Sequence, residues 1–502
     1  MSNTPSDVSV GAAPAAPPEP ARGPVTVPRR SWSPTPLITR LHFYAGILVA
    51  PFLAVAALTG LAFVFTPQLD SLVYRDELRV AQVGDRANPV SAQVAAAVAA
   101  HPDGTLAAVL PAAAPDATTR VVFTMPELGE RQHTVYVDPY TLRIRGTLVT
   151  WFGETPLMTW VDDLHRNLHL GAVGRVYSEV AASWLWVLVL GGLTLWLHRQ
   201  WTARRRARRL LLPDLTARGV RRTRGWHASL GVWLAVGLLF LSATGLTWSR
   251  WAGANFSTAL STLRAHSPTM DTTLPDAAPP SPPSGAGHHE GAAGPGAVVD
   301  ITAIDAVLRH AGAAGITGPI EVTVPAAAGQ GWLVAENDRS WPVRLDRIVV
   351  DPDAGVVDRS DFADWPLLSQ LSKLGVQAHM GYLFGLVNQI LLAALAVGLL
   401  CVIVWGYRMW WQRRPLRADR RAPVGVPPAR GGWRLLRRPL LLAGALSTVA
   451  VGVALPVLGV TLLGFLAVDL IVTAMRGRGG GPTPTMPIEG EPSTASPGNG
   501  RV

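Results

Sequence analysis

The sequence predicts a membrane α-helical bundle: four core spans as two repeated halves, a C-terminal helical hairpin, and two extracytoplasmic α+β domains. Three observations predict it. Four apolar runs are each long enough to cross a bilayer, arginine is concentrated in short segments beside them, and the runs repeat one another in register.

The apolar runs occupy 37–66, 176–198, 226–250 and 379–407. Crossing the hydrocarbon core takes about 20 apolar residues in a helix, and each run supplies them. Hydrophobic residues form 49% of the 502-residue chain although long polar segments separate the runs, as expected of a multi-span protein. A fifth apolar block, 439–475, is too long for one span and has Pro456 near its middle. Proline breaks a helix interior, so this block is expected to be a tight pair of short helices. Residues 1–36 are rich in Ala, Pro and Ser and read as a disordered cytoplasmic tail. They do not read as a signal peptide, because the first apolar run is too long and too late. Residues 476–502, rich in Gly, Pro, Ser and Thr, read as a second disordered tail.

The net charge of +10 is placed rather than spread. Ten arginines fall in 199–225, including RRRARR at 204–209, and ten more fall in 408–438. Both segments are short and flank spans, which is the bias that holds loops in the cytoplasm and favours contact with anionic lipid over nucleic acid. The expected topology follows: both termini cytoplasmic, 67–175 and 251–378 outside, and a multi-pass location in the plasma (inner) membrane. The single cysteine, Cys401, lies within a span. The exterior domains therefore fold without disulfides, and no Cys-x-x-Cys-His attachment of c-type haem is possible.

The exterior segments carry domains of their own. In 87–149 a helical stretch, SAQVAAAVAAHP, precedes the strand-like runs TRVVFTM, HTVYVD and LRIRGTLV. Segment 299–361 repeats the order, with ITAIDAVLRHAG before PIEVTV, GWLVAE and VRLDRIVVD. Val-Asp-Pro stands at a strand end in both, at 137–139 and 350–352, where Asp and Pro favour a turn. A Pro/Gly linker, 274–297, precedes the second domain. Its HHE at 288–290 is read as having no specific metal role.

The spans repeat as well. Setting His42 on His227, an offset of 185, puts Gly46 on Gly231, Leu53 on Leu238, and Thr59-Gly60-Leu61 on Thr244-Gly245-Leu246. In the second and fourth spans HLG at 169–171 is laid over HMG at 379–381, and each run ends in Trp and Arg. The chain reads as two copies of span, exterior domain, span.

The histidines of these spans are the candidate site. Ionisable residues in spans are costly and mark function. Glycine follows His42 and His227 by four residues, so ring and bare backbone share a helix face, as a flat, bulky cofactor requires. His42 and His227 start spans that enter from the cytoplasm; His165, His169 and His379 precede spans that enter from outside. His165 and His169, four apart in LHRNLHLG, are expected on one helical face; only one need ligate, the other bonding a propionate or stabilising the site. Paired imidazoles at each face can grip an iron porphyrin, and two such sites make an electron path across the bilayer. Zinc would need four ligands converging on one point, which this spacing does not suggest. His198 reads as an interfacial anchor, and His101, His133, His266 and His310 as solvated or structural. Trp151, Trp160, Trp184, Trp186, Trp365 and Tyr382 are expected around the outer mouth, mostly as an interfacial belt.

The pattern resembles the membrane proteins with PepSY-associated transmembrane helices over most of 37–411. The motifs are LHFYAG…LTGL, LHRNLHLG…GR, GWHASLG…ATGL, AHMGYLFG and the two Val-Asp-Pro domains, which look like PepSY domains. The group includes inner-membrane iron-uptake proteins and di-haem siderophore reductases. The resemblance implies that His42, His227, His379 and one or both of His165 and His169 hold two haem b groups, and that the exterior face meets a ferric chelate. The hairpin at 439–475 departs from the minimal four-span form.

The sequence reading is thus a transmembrane haem-b reductase. Electrons enter at the inner haem, pass to the outer one, and reduce a ferric siderophore or other Fe(III) chelate outside. No Gly-rich loop links a strand to a helix, so no nucleotide site is expected; the donor is a cytoplasmic reductase or a quinol. The rival expectation is a non-redox, membrane-anchored binding or regulatory protein with the histidines as packing residues.

Overall fold

The computed structural model describes residues 35–203, 211–275, 300–413 and 438–478. The tail readings for 1–34 and 479–502, the RRRARR run, HHE with most of its linker, and most of the second arginine segment lie outside the described residues.

The chain opens with α1 (Thr35–Leu48) and α2 (Ala50–Val64), one apolar run bent by 55°. The bend has a local cause. Pro51 has no N–H for the Ile47 carbonyl one turn earlier, and the Tyr407 hydroxyl donates to that carbonyl instead, at 2.9 Å. Short helices α3 (Thr66–Val73) and α4 (Arg75–Leu78) follow. Then come α5 (Val90–Ala100), β1 (Thr105–Leu110), β2 (Thr119–Thr124), β3 (Gln132–Val137) and β4 (Ile144–Thr150). The chain returns to the bundle through α6 (Pro156–Asn167) and α7 (Gly171–Ala203). The next elements are α8 (Gly219–Leu246) and α9 (Trp251–Thr262), then α10 (Ile304–Ala313). Strands β5 (Ile320–Thr323), β6 (Trp332–Glu336), β7 (Arg347–Asp351) and β8 (Gly355–Ser360) complete the exterior part. The chain then runs through α11 (Leu367–Met380), α12 (Gly385–Gln412), α13 (Arg438–Ala454) and α14 (Pro456–Arg478).

Helices α7, α8 and α12 are each long and apolar enough to cross a membrane, and the bent pair α1–α2 makes a fourth if taken as one span. Their outward faces are apolar too: Val236 is 80% exposed and Val387 63%. A helix hydrophobic all round suits lipid rather than water. The protein is a multi-pass membrane protein. The helices run further than the apolar runs, because arginine is a good helix former: α8 starts at Gly219, so Arg221, Arg222 and Arg224 are helical. The end of the bundle where α7 finishes and α8 begins is called here the arginine end; the other, which carries the strands, is the sheet end.

The expected pair of exterior α+β units meets in a single antiparallel sheet of eight strands, ordered β4-β3-β2-β1-β5-β6-β7-β8. The join is β1 with β5, Val109 opposite Val322. Helices α5 and α10 cover a common core in which Val94, Val109, Phe123, Ile304, Val307, Val322 and Ile348 are fully buried. At both Val-Asp-Pro turns the aspartate accepts from the backbone two residues on, Asp138 from Tyr140 and Asp351 from Asp353, the turn chemistry expected of Asx residues. An Arg339–Glu154 ion pair ties the β6–β7 connection to the turn after β4, and the Trp341 N–H donates to the Leu383 carbonyl, between α11 and α12, at 2.7 Å.

Helices α13 and α14 form a hairpin broken at Pro456 and crossing where Gly452 meets Gly459. It packs along α7: Leu458 is buried, and Trp184 donates through Nε1 to Thr461 Oγ1 at 2.8 Å. Arg40 of α1 forms a buried ion pair with Asp469 of α14.

Candidate functional site

Two pairs of imidazoles lie at opposite ends of the bundle. His42 on α1 and His227 on α8 meet at the arginine end, with ring centroids 6.4 Å apart and planes nearly perpendicular, at 85°. Each ring lies over a glycine of a neighbouring span, and at Gly192 a Cβ would crowd it. A Cβ at Gly192 would come within 3.2 Å of the His42 ring, and one at Gly406 within 3.7 Å of the His227 ring. His227 donates through Nδ1 to the Val402 carbonyl at 2.9 Å, leaving Nε2 as its free lone pair. The Leu188 carbonyl approaches the His42 ring from the corresponding side.

Both rings border a cavity of about 1010 Å³. Its walls include Gly46 and Gly231, the bare backbone expected four residues after each histidine. A Cβ at Gly231 would meet no atom within 4 Å. Towards the arginine end the same cavity is lined by Arg218, Arg221, Arg224, Arg413 and His198, so its mouth is cationic while its floor is apolar.

At the sheet end, His165 comes from α6 and His379 from α11, short helices that precede spans α7 and α12. His165 docks on α2, its Nδ1 3.0 Å from Thr59 Oγ1 and its ring against Gly60. His379 docks on α8 in the same way, its Nδ1 2.6 Å from Thr244 Oγ1 and its ring against Gly245. Phe63 stacks on His165 at 6.4 Å and Trp248 meets His379 edge-on at 6.0 Å. Helices α6 and α11 are not themselves spans. Burial holds both imidazoles down, each to about 4, and the proximity of His165 adds to the effect at His379. Both are neutral at pH 7, with a lone pair available to a metal.

His169 is elsewhere. Helix α6 ends at Asn167, because Leu168 and His169 both adopt left-handed backbone (φ 54° and 55°). The expected common helical face for His165 and His169 therefore does not exist; His169 stacks on the largely exposed Trp160 at 4.9 Å. It is His165, not His169, that docks as His379 does. An offset of 214 instead carries His165 onto His379, Gly171 onto Gly385, Leu188 onto Val402, Gly192 onto Gly406, Trp196 onto Trp410 and Arg199 onto Arg413. Gly171 and Gly385 open their helices with matching φ of 55° and 54°. All these pairs but Leu188 on Val402 are identities, and this offset superposes the two histidines that dock alike on α2 and α8. The roles of Thr59 and Thr244 were not legible in the sequence, although both stood out as repeated residues.

Of the aromatic residues expected round the outer mouth, Trp184 and Trp365 are buried, the latter donating to Ser360. Tyr382 packs near Phe63 and Met158 and lies under the Arg339 guanidinium. His101 and His133, distant in sequence, touch at 4.7 Å on the sheet. Burial, then the neighbouring His101, lowers the His133 pKa. Among the described residues no three His, Cys, Asp or Glu side chains converge on one point as a bare-metal site requires.

Fold and site together define a multi-pass membrane protein in which imidazoles are seated at two depths beneath an antiparallel sheet. Residues 39–413 match the model of the PepSY-associated TM region family, and the chain belongs to that family. No curated protein matches it.

Proposed function

We propose that this protein is a transmembrane di-haem b electron-transfer protein that reduces a ferric siderophore or similar Fe(III) chelate at the sheet end, in the service of iron uptake. The observation that carries the reading is the matched seating of four imidazoles, two at each end of the bundle.

The residues fit the group. His42 and His227, from different spans, have ring centroids 6.4 Å apart and would be the residues to hold the group at the arginine end. The adjoining cavity of about 1010 Å³ has the bare glycine walls a flat macrocycle needs, and its arginines suit carboxylate side arms. At the sheet end His165 and His379 are the proposed ligands, and His169 is not. Held between such imidazoles, an iron porphyrin supplies one-electron exchange between Fe(III) and Fe(II). The protein's own part is to keep the four rings oriented and shielded from water. Reduction favours release of the metal from a chelate, because hard oxygen donors suit Fe(III) better than Fe(II).

In this reading the arginine end faces the cytoplasm of a cell whose plasma (inner) membrane holds the chain. The two halves, related by offsets of 185 and 214, are copies of one unit, each with a PepSY-like domain in the shared sheet. The electron donor is a separate reductase or a quinol approaching the arginine end.

The test is haem quantification with spectroscopy on the purified full chain. Two haems per chain, with low-spin bis-imidazole Soret and α bands, support the reading. Folded but colourless protein after expression with ample haem overturns it and leaves a membrane-tethered binding module.

A further inference from the structure

Thr59 and Thr244 follow His42 and His227 at the same spacing of 17 residues, about 25 Å of helix. Neither hydroxyl has its proton to spare. Thr59 Oγ1 donates to the Val55 carbonyl at 2.9 Å, and Thr244 Oγ1 to the Phe240 carbonyl at 2.8 Å. A hydroxyl has one proton and two lone pairs, so towards the histidine each threonine offers only a lone pair. The Nδ1 atoms of His165 and His379, at 3.0 and 2.6 Å, must then be the protonated nitrogens. That tautomer leaves Nε2 of both rings as the free donor atom.

We infer that Thr59 and Thr244 are positioning residues for the sheet-end site: each locks its histidine in the Nδ1–H tautomer, aims Nε2 at the metal, and sets the redox potential there. An acceptor on the far side of a ligating imidazole raises its basicity and so favours the more highly charged metal. The two seats are not equal. Thr244 Oγ1 lies 2.6 Å from Nδ1 of its histidine, whereas Thr59 Oγ1 lies 3.0 Å from its own. Thr244 is therefore the more sensitive position. The contrast with the arginine end is chemical: there Nδ1 of His227 donates to a backbone carbonyl, which no side-chain substitution removes.

This inference rests on the reading that the four imidazoles ligate two haems. The experiment is potentiometric titration with haem quantification of the full chain and of Thr244→Val, Thr244→Ser and Thr59→Val. In Thr244→Val one of two midpoint potentials moves positive and the other stays, with haem affinity at the moved site falling about 10- to 100-fold. Thr244→Ser, which keeps the hydroxyl, restores both; Thr59→Val gives a smaller shift of the same sign. Should Thr244→Val fail to accumulate, Thr244→Ala removes the same acceptor and carries the same expectation. Unmoved potentials with full haem retention, or a serine variant as impaired as the valine one, overturn the inference while leaving the di-haem reading intact. A wild-type chain that binds no haem sinks the reading itself before any variant is made.

Discussion

The two histidine pairs are held by different kinds of structure. His42 and His227 belong to the spans, and their surroundings are backbone: glycine faces of α7 and α12 and the carbonyl of Val402. His165 and His379 belong to short helices outside the spans and are held by side chains, Thr59 and Thr244. Backbone acceptors are insensitive to substitution but demand that neighbouring helices keep their register. Side-chain acceptors can be tuned one residue at a time. The arginine-end pair is therefore exposed to anything that shifts helices, and the sheet-end pair to local chemistry.

The largest expected effect separates the pairs outright. His227→Ala loses about half of the bound haem, and His165→Ala loses the other half, whereas His169→Ala keeps all of it; haem quantification reads each. A full complement in His165→Ala with a deficit in His169→Ala would reverse the ligand assignment. Next, Asp469→Asn removes the carboxylate of the buried Arg40–Asp469 ion pair, two residues from His42. Breaking a buried pair costs about 3–5 kcal/mol. A lower thermal midpoint in detergent is expected, with the arginine-end haem lost before the sheet-end one. A third test uses space alone. Gly231→Leu points into the cavity, where a Cβ meets nothing within 4 Å, so haem content falls while the haem-free protein unfolds as the wild type does. The smallest effect belongs to Tyr407→Phe. It removes the donor to the Ile47 carbonyl, at a cost of about 1–3 kcal/mol, read as a modest fall in thermal midpoint without change in haem.

How much of this was legible depends on the range of the interaction. His42, His227 and their glycines were readable because offset 185 runs without a gap and helical periodicity fixes which residues share a face. Which histidine of LHRNLHLG docks on the bundle was ambiguous because the two stand four apart, and only the left-handed residues at 168 and 169 break that periodicity. Leucine and histidine give no advance notice of that conformation. The strands and Val-Asp-Pro turns were readable as local patterns. The join between β1 and β5 was not, since it pairs residues some 200 apart in sequence and depends on two half-sheets meeting at one edge.

That join has a mechanical consequence. Strands β4 and β8 are the two outer edges of the eight-stranded sheet, and α6 and α11 are the helices that follow them. The sheet is thus the beam of a caliper, with His165 on one jaw and His379 on the other. Each edge strand hands the chain on to the short helix that carries one sheet-end histidine, so the placing of both histidines is tied to the one sheet.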